Sequence, residues 1–185
     1  MPQISAGVSA QGWRSRMVPI PRPAGEPAIV ELRSGGFLTH FSAMGGIDTE
    51  HVRSEDDHVY VTSTTGTKPF LFVLAPKHTH VKVKRHGGDS GGIARWHLRT
   101  IAPESLRKLE SELEGDGGEV LSGSRGGEFS FSFEQKDGVA GFVCTDFRGN
   151  PMDITHEGHM RGRVKIPGPG YITVVALGPW KLKRL

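Results

Sequence analysis

Phe129-Ser130-Phe131-Ser132-Phe133 alternates apolar and polar residues without a break, and a period of two marks a strand with one buried face. Val81-Lys82-Val83-Lys84 repeats the pattern with one wet face. The same reading predicts strands at 28–33, 37–42, 58–62, 70–75, 78–84 and 95–100. A second set follows at 119–122, 128–134, 140–147, 153–155, 162–166, 171–177 and 180–184. Turn signals separate them: Ser34-Gly35-Gly36, Gly45-Gly46, Thr65-Gly66-Thr67 and His86-Gly87-Gly88-Asp89. In the last two strands Ile172, Val174 and Ala176 share a face, which Trp180 and Leu182 cap across a Gly178-Pro179 hairpin turn.

Two stretches break this rhythm. Residues 1–27 hold Pro19, Pro21, Pro23 and Pro27, which interrupt any hydrogen-bond ladder and predict a flexible or edge-hugging arm. Trp13, Met17 and Val18 can anchor it. Residues 103–114 predict the one short helix, or a turn-rich linker. There Leu106, Leu109 and Leu113 fall on one helical face, Pro103 suits a first helical position, Glu104 precedes Lys108 by four residues, and Gly115 ends the segment.

A phrase recurs on either side of that segment. Ala94-Arg95-Trp96-His97-Leu98-Arg99-Thr100-Ile101 and Gly178-Pro179-Trp180-Lys181-Leu182-Lys183-Arg184-Leu185 both carry Trp-x-Leu after a small or turn residue. A second alignment sets Phe70-Leu71-Phe72-Val73 against Phe142-Val143-Cys144-Thr145. Phe70 stands nearer its Trp than Phe142 does, as if the first copy lacked a hairpin. The expected fold class is therefore all-β: two β-sandwich halves from an internal duplication, leaning on each other, with one short helix or linker between them. Its parts are an arm at 1–27, a first half at 28–102, a linker at 103–114 and a second half at 115–185.

The second half carries a resemblance. Gly115-Asp116-Gly117-Gly118-Glu119-Val120, Gly141-Phe142-Val143, Gly162-Arg163-Val164 and Pro169-Gly170-Tyr171-Ile172-Thr173-Val174-Val175-Ala176-Leu177-Gly178-Pro179-Trp180 occur in that order. The series resembles bacterial, largely uncharacterised jelly-roll-like β-sandwich modules ending in G-x-Y-x-I-x-V-x-A-x-G-x-W. It covers 115–185 well and 36–101 poorly. The resemblance implies a structural motif, with glycines for turns and apolar residues for a core, and no catalysis.

Composition agrees with short strands and tight turns: 26 glycines and 12 prolines in 185 residues, with 36% hydrophobic residues. A formal charge of +3, from 23 basic and 20 acidic residues, is too small an excess to mark a nucleic-acid binder. The cations nevertheless cluster: Lys77, Lys82, Lys84 and Arg85; Arg161, Arg163 and Lys165; Lys181, Lys183 and Arg184. With Cys144 the single cysteine, no internal disulfide is available. No apolar run is long enough to span a bilayer, and the first residues lack the pattern of a signal peptide. The expectation is a cytoplasmic protein.

Several groupings carry candidate chemistry. Gly88-Asp89-Ser90-Gly91-Gly92 matches the nucleophile loop of trypsin-like serine proteases, with Ser90 as the attacking group. Too little chain precedes it for that family's first barrel, and a plain turn explains the string. His156-Glu157-Gly158-His159, with Asp153, offers ligands from a turn, and His78 and His80 at strand spacing project from one face with His86 nearby. Together they suggest zinc, nickel or copper, against the plainer reading of nine scattered histidines. Glu55-Asp56-Asp57, and Asp116 with Glu119, suggest calcium or simply solvated turns.

The expectation for function is a non-catalytic binding or assembly module, not an enzyme, with a protein partner or self-association through sheet edges. No cofactor is expected, though zinc or calcium fits the groupings above. An acidic partner would meet the basic ridge of Lys82, Lys84, Arg161 and Arg163. The alternative is a metal- or carbohydrate-binding protein using His156, Glu157, His159, His78 and His80. A serine hydrolase using Ser90 stands behind both. Membrane and nucleic acid are not expected partners.

Overall fold

A computed structural model of the chain describes residues 7–35, 40–48, 53–61, 68–86, 94–134, 140–157 and 160–185, with the backbone alone at 53–61 and 153–157. The chain divides after Ala102 into two compact units.

The first unit, Met1–Ala102, holds β1 (Ser9–Gly12), β2 (Arg16–Pro19), β3 (Ala28–Ser34), β4 (His40–Asp48), β5 (Arg53–Val61), β6 (Phe70–Leu74), β7 (His80–His86) and β8 (Trp96–Ile101). They form two four-stranded sheets, β1-β8-β3-β6 and β2-β7-β4-β5, every pair antiparallel. The apolar face of each sheet is buried, with Val30, Leu32, Phe72, Leu74, Trp96 and Leu98 on the first and Phe41, Ala43, Val81 and Val83 on the second; Ile29, Glu31, Val73 and Ser42 on the opposite faces are buried as well. Residues 7–27 follow the edge-hugging alternative of the arm predicted there. They supply β1 and β2, one edge strand to each sheet, because the prolines fall after or at the end of β2 rather than inside a ladder. Strand β7 starts at His80, two residues later than the spacing predicts.

The second unit, Pro103–Leu185, opens on a single 3-10 turn, Pro103–Ser105. Then come β9 (Lys108–Leu109), β10 (Glu112–Asp116), β11 (Glu119–Gly123), β12 (Gly127–Phe133), β13 (Gly141–Thr145), β14 (Pro151–Glu157), β15 (Arg161–Ile166), β16 (Gly170–Val175) and β17 (Pro179–Arg184). The sheets are β10-β17-β12-β15 and β14-β13-β16-β11-β9. Their inner faces meet in one core, where the Phe131 ring of one sheet stands edge-on to Phe142 of the other at 5.4 Å. Each such buried aromatic contributes roughly 1.5–3 kcal/mol.

Two expectations are corrected here. Of the short helix or turn-rich linker predicted over 103–114, the helical alternative does not extend past the Pro103–Ser105 turn: Leu106 and Leu109 are buried by non-helical chain, and Glu112–Asp116 pairs with β17. Twelve residues make a marginal helix alone, and a ready strand partner outweighs that preference. Nor do the last two strands form a hairpin. Strand β16 pairs with β11 and β13, while β17 crosses to the other sheet and pairs with β10 and β12. Trp180 and Leu182 still join Ile172, Val174 and Ala176 in one cluster, but from the facing sheet.

Counting β10 to β17 as first to eighth, the second unit repeats the strand order of the first, with β9 added at one edge. Trp96 and Trp180 then occupy the same last strand. The alignment of Phe70 with Phe142 does not survive, since it matches the sixth strand of one unit to the fourth of the other. No hairpin is missing from the first unit.

Candidate functional site

The edges of the sheet β10-β17-β12-β15 carry opposite charges. On β10, Glu112, Glu114 and Asp116 alternate with Leu113 and Gly115 and are exposed. On β15, Arg161, Arg163 and Lys165 alternate with Gly162, Val164 and Ile166, and all three cations are exposed. Both strands are terminal in the sheet order. Alternate residues of a strand face the same side, so each row of charges is a ladder with steps of about 6.8 Å.

The outer face of this sheet is assembled from registers. Glu112 lies opposite Lys183, and Glu114 opposite Lys181. Ser130 and Ser132 of β12 lie between Lys183 and Lys181 on one side and Arg163 and Arg161 on the other. Two basic clusters of the sequence thus meet across a strip of serines. The lysines of β17 are already engaged. Glu112 binds Lys181 and reaches Lys183 at 3.7 Å. The Lys181 hydrogen bond holds the Glu112 carboxyl below the ordinary carboxylate range. Among the described residues, no ion pair reaches Arg161, Arg163 or Lys165.

Backbone direction completes the picture. Arg184 N donates to Ser111 O, and Gly117 N to Gly178 O, so the odd-numbered residues of β10 face β17. Glu112, Glu114 and Asp116 therefore turn their own N–H and C=O groups to the side of β10 away from β17. The Glu114 carbonyl does point outward: Arg107 Nη2 donates to it at 2.9 Å. Phe133 N donates to Met160 O, which by the same alternation turns the backbone of Arg161, Arg163 and Lys165 to the side of β15 away from β12.

The remaining candidates fall in both units. Lys82 and Lys84 lie on β7 in the first unit, on the face away from Val81 and Val83, and do not share a unit with Arg161 and Arg163. His78 sits in the turn before β7, buried at 1% exposure against Gly45. His80 is on the strand, with Nδ1 2.8 Å from Thr79 Oγ1. His156 and Glu157 extend β14, opposite Phe142 and Gly141, instead of forming a turn. His159 and the Ser90 loop lie outside the described residues, and the side chains of Glu55, Asp56 and Asp57 are likewise undescribed. Glu119 is tied to Arg107 at 3.2 Å, and burial raises its pKa against that cation. Among the described residues, no group of three or more His, Cys, Asp or Glu side chains gathers to hold a metal.

Two polar groupings escaped the sequence reading. Ser42 Oγ lies 2.6 Å from His86 Nε2, but Ser42 is only 4% exposed, which suits a bond within the sheet better than attack on a substrate. Glu31 takes a two-pronged bond from its register partner Arg99, both contacts at 2.9 Å, and two more from Arg33 at 2.7 and 3.4 Å. The acidic row of β10 is hidden in the sequence for another reason: Leu113 keeps a helical period with Leu106 and Leu109, which masks Glu112, Glu114 and Asp116 as one face of a strand. Among the described residues, no helix is long and apolar enough to cross a membrane. No protein-family model matches the chain, and no curated protein matches it.

Proposed function

We propose that this protein is a non-catalytic binding or assembly module made of two jelly-roll units derived from one duplicated ancestor. Two sheets built from eight strands in a repeated order support the jelly-roll reading. The duplication is supported by a shared detail: each last-strand tryptophan faces a glycine and donates its indole N–H to a carbonyl two residues beyond it. The observation that carries the binding function is the exposed row of Arg161, Arg163 and Lys165 on a terminal strand, a row that no ion pair reaches among the described residues. Such an edge binds an extended acidic segment by adding it as a strand, with main-chain bonds for affinity and charges for selection. A lone reduced thiol at Cys144 fits a cytoplasmic setting.

The test is fluorescence anisotropy of a labelled poly-glutamate peptide titrated with the full chain. Saturable, salt-sensitive binding that disappears in the triple variant Arg161→Ser, Arg163→Ser, Lys165→Ser is expected. Equal binding by the variant, or none by the natural chain, would remove the basis for this reading.

A further inference from the structure

We infer that the acidic strand accepted by β15 is β10 of a second copy of this chain, so that the protein assembles head to tail through a continuous sheet. The inference rests on the binding reading above and names its partner. In an antiparallel join of β10 to β15, Glu112 stands opposite Lys165, Glu114 opposite Arg163 and Asp116 opposite Arg161, all in one register. These are also the residues whose backbone groups face outward from the two terminal strands, so charge pairing and main-chain pairing coincide. On the inner side the same register sets Leu113 against Val164 and Gly115 against Gly162.

Strand direction agrees. Each neighbouring pair across β10-β17-β12-β15 is antiparallel, so β10 and β15 run oppositely. A second copy placed beyond β15 in the same orientation brings its β10 antiparallel to it, with the charged faces on the same side. The like-with-like alternatives are repelled: β15 against β15 opposes cations, and β10 against β10 opposes carboxylates. Basic edges of this kind protect a sheet from indiscriminate pairing, and here they leave the acidic edge as the acceptable neighbour. One contact yields. Arg107, whose side chain is 44% exposed, releases the Glu114 carbonyl and keeps its bond to Glu119. Because the two joined surfaces differ, each added copy presents a fresh edge, and growth continues as a filament or closes as a ring.

The experiment is sedimentation velocity of the untagged full chain across concentration and salt. Species larger than a dimer are expected at about 0.01 M salt, and monomer at about 1 M, where the screening length falls from about 30 Å to about 3 Å. Two charge-reversed proteins sharpen it: one with Arg161→Glu, Arg163→Glu and Lys165→Glu, the other with Glu112→Lys, Glu114→Lys and Asp116→Lys. Each alone carries like charges on both edges and stays monomeric, while an equimolar mixture assembles again. Should either triple variant lose its native circular dichroism, the single pair Arg163→Glu and Glu114→Arg takes its place, with the same pattern expected. Assembly by either variant alone, or a mixture that stays monomeric, overturns the inference. So does a natural chain that is monomeric in low salt: if it still binds poly-glutamate, the binding function survives without self-assembly, and if it does not, both fall.

Discussion

The indole of Trp180 rests on Gly115, its register partner across β10 and β17, and donates its N–H to the Gly117 carbonyl at 3.0 Å. The first unit repeats the arrangement, with Trp96 on Gly12 and its N–H on the Arg14 carbonyl at 2.9 Å. A methyl group at Gly115 would lie 2.4 Å from the Trp180 ring, and one at Gly12 would lie 2.6 Å from Trp96.

Replacing either glycine by alanine therefore forces a buried ring to move. Gly115→Ala and Gly12→Ala are each expected to cost about 1–3 kcal/mol, the range for overpacking a well-filled site. Urea unfolding of the full chain measures this. A variant as stable as the natural protein would mean the ring has room to slide.

The two tryptophans differ in one respect that mutation exposes. The Trp180 bond is buried, while the Trp96 bond is partly accessible. Trp180→Phe strands a carbonyl away from water, at about 1–3 kcal/mol, in addition to the volume it removes. In Trp96→Phe the Arg14 carbonyl can turn to solvent. The Trp180 substitution is expected to be the more damaging, and the reverse ranking would contradict this account.

Glu31 predicts acid sensitivity in the first unit. Burial alone would raise its pKa, but the hydrogen bonds from Arg99 and Arg33, helped by their charges, outweigh burial and leave it below the ordinary glutamate value. A carboxyl with a depressed folded-state pKa contributes stability above its unfolded value and loses it as pH falls through the folded one. Stability is expected to drop on acidification below the ordinary glutamate range, and Glu31→Gln is expected to flatten that limb. Identical pH profiles for the two proteins would assign the acid limb to other groups.

Cys144 is 2% exposed in the core of the second unit, and burial pushes its thiol up to about 11. The native protein is expected to leave a thiol reagent untouched near neutral pH and to react fully in denaturant, since the thiolate is the reactive form. The labelling rate below the unfolding midpoint then reports opening of the second unit. Rapid labelling under native conditions would show that this core is open to solvent.

Much of the all-β character was legible because side-chain alternation is a local property. Phe129, Phe131 and Phe133 point to one side of any strand they form, whatever it packs against. The same locality explains the error at 103–114. Leu106, Leu109 and Leu113 satisfy a helical period, while Glu112-Leu113-Glu114 satisfies a strand period, and the pairing of β10 with β17 decides between them. Strand neighbours were beyond reach for the same reason. The short Gly178-Pro179 turn suggests a hairpin, yet the chain passes there from one sheet to the other.

The sequence by itself determined the alternation of its strands, the solvent-facing cations, the single thiol and the recurrence of Trp96 and Trp180. These depend only on residue type and near neighbours. Tertiary structure alone decided that Ser9–Gly12 and Arg16–Pro19 add a strand to each of two sheets, and that Arg161 and Arg163 meet Lys181 and Lys183 across Ser130 and Ser132. It also set a row of acids and a row of cations on the two terminal strands of one sheet. Edge position and strand order are created by hydrogen bonds between segments far apart in the chain, and no local periodicity encodes them.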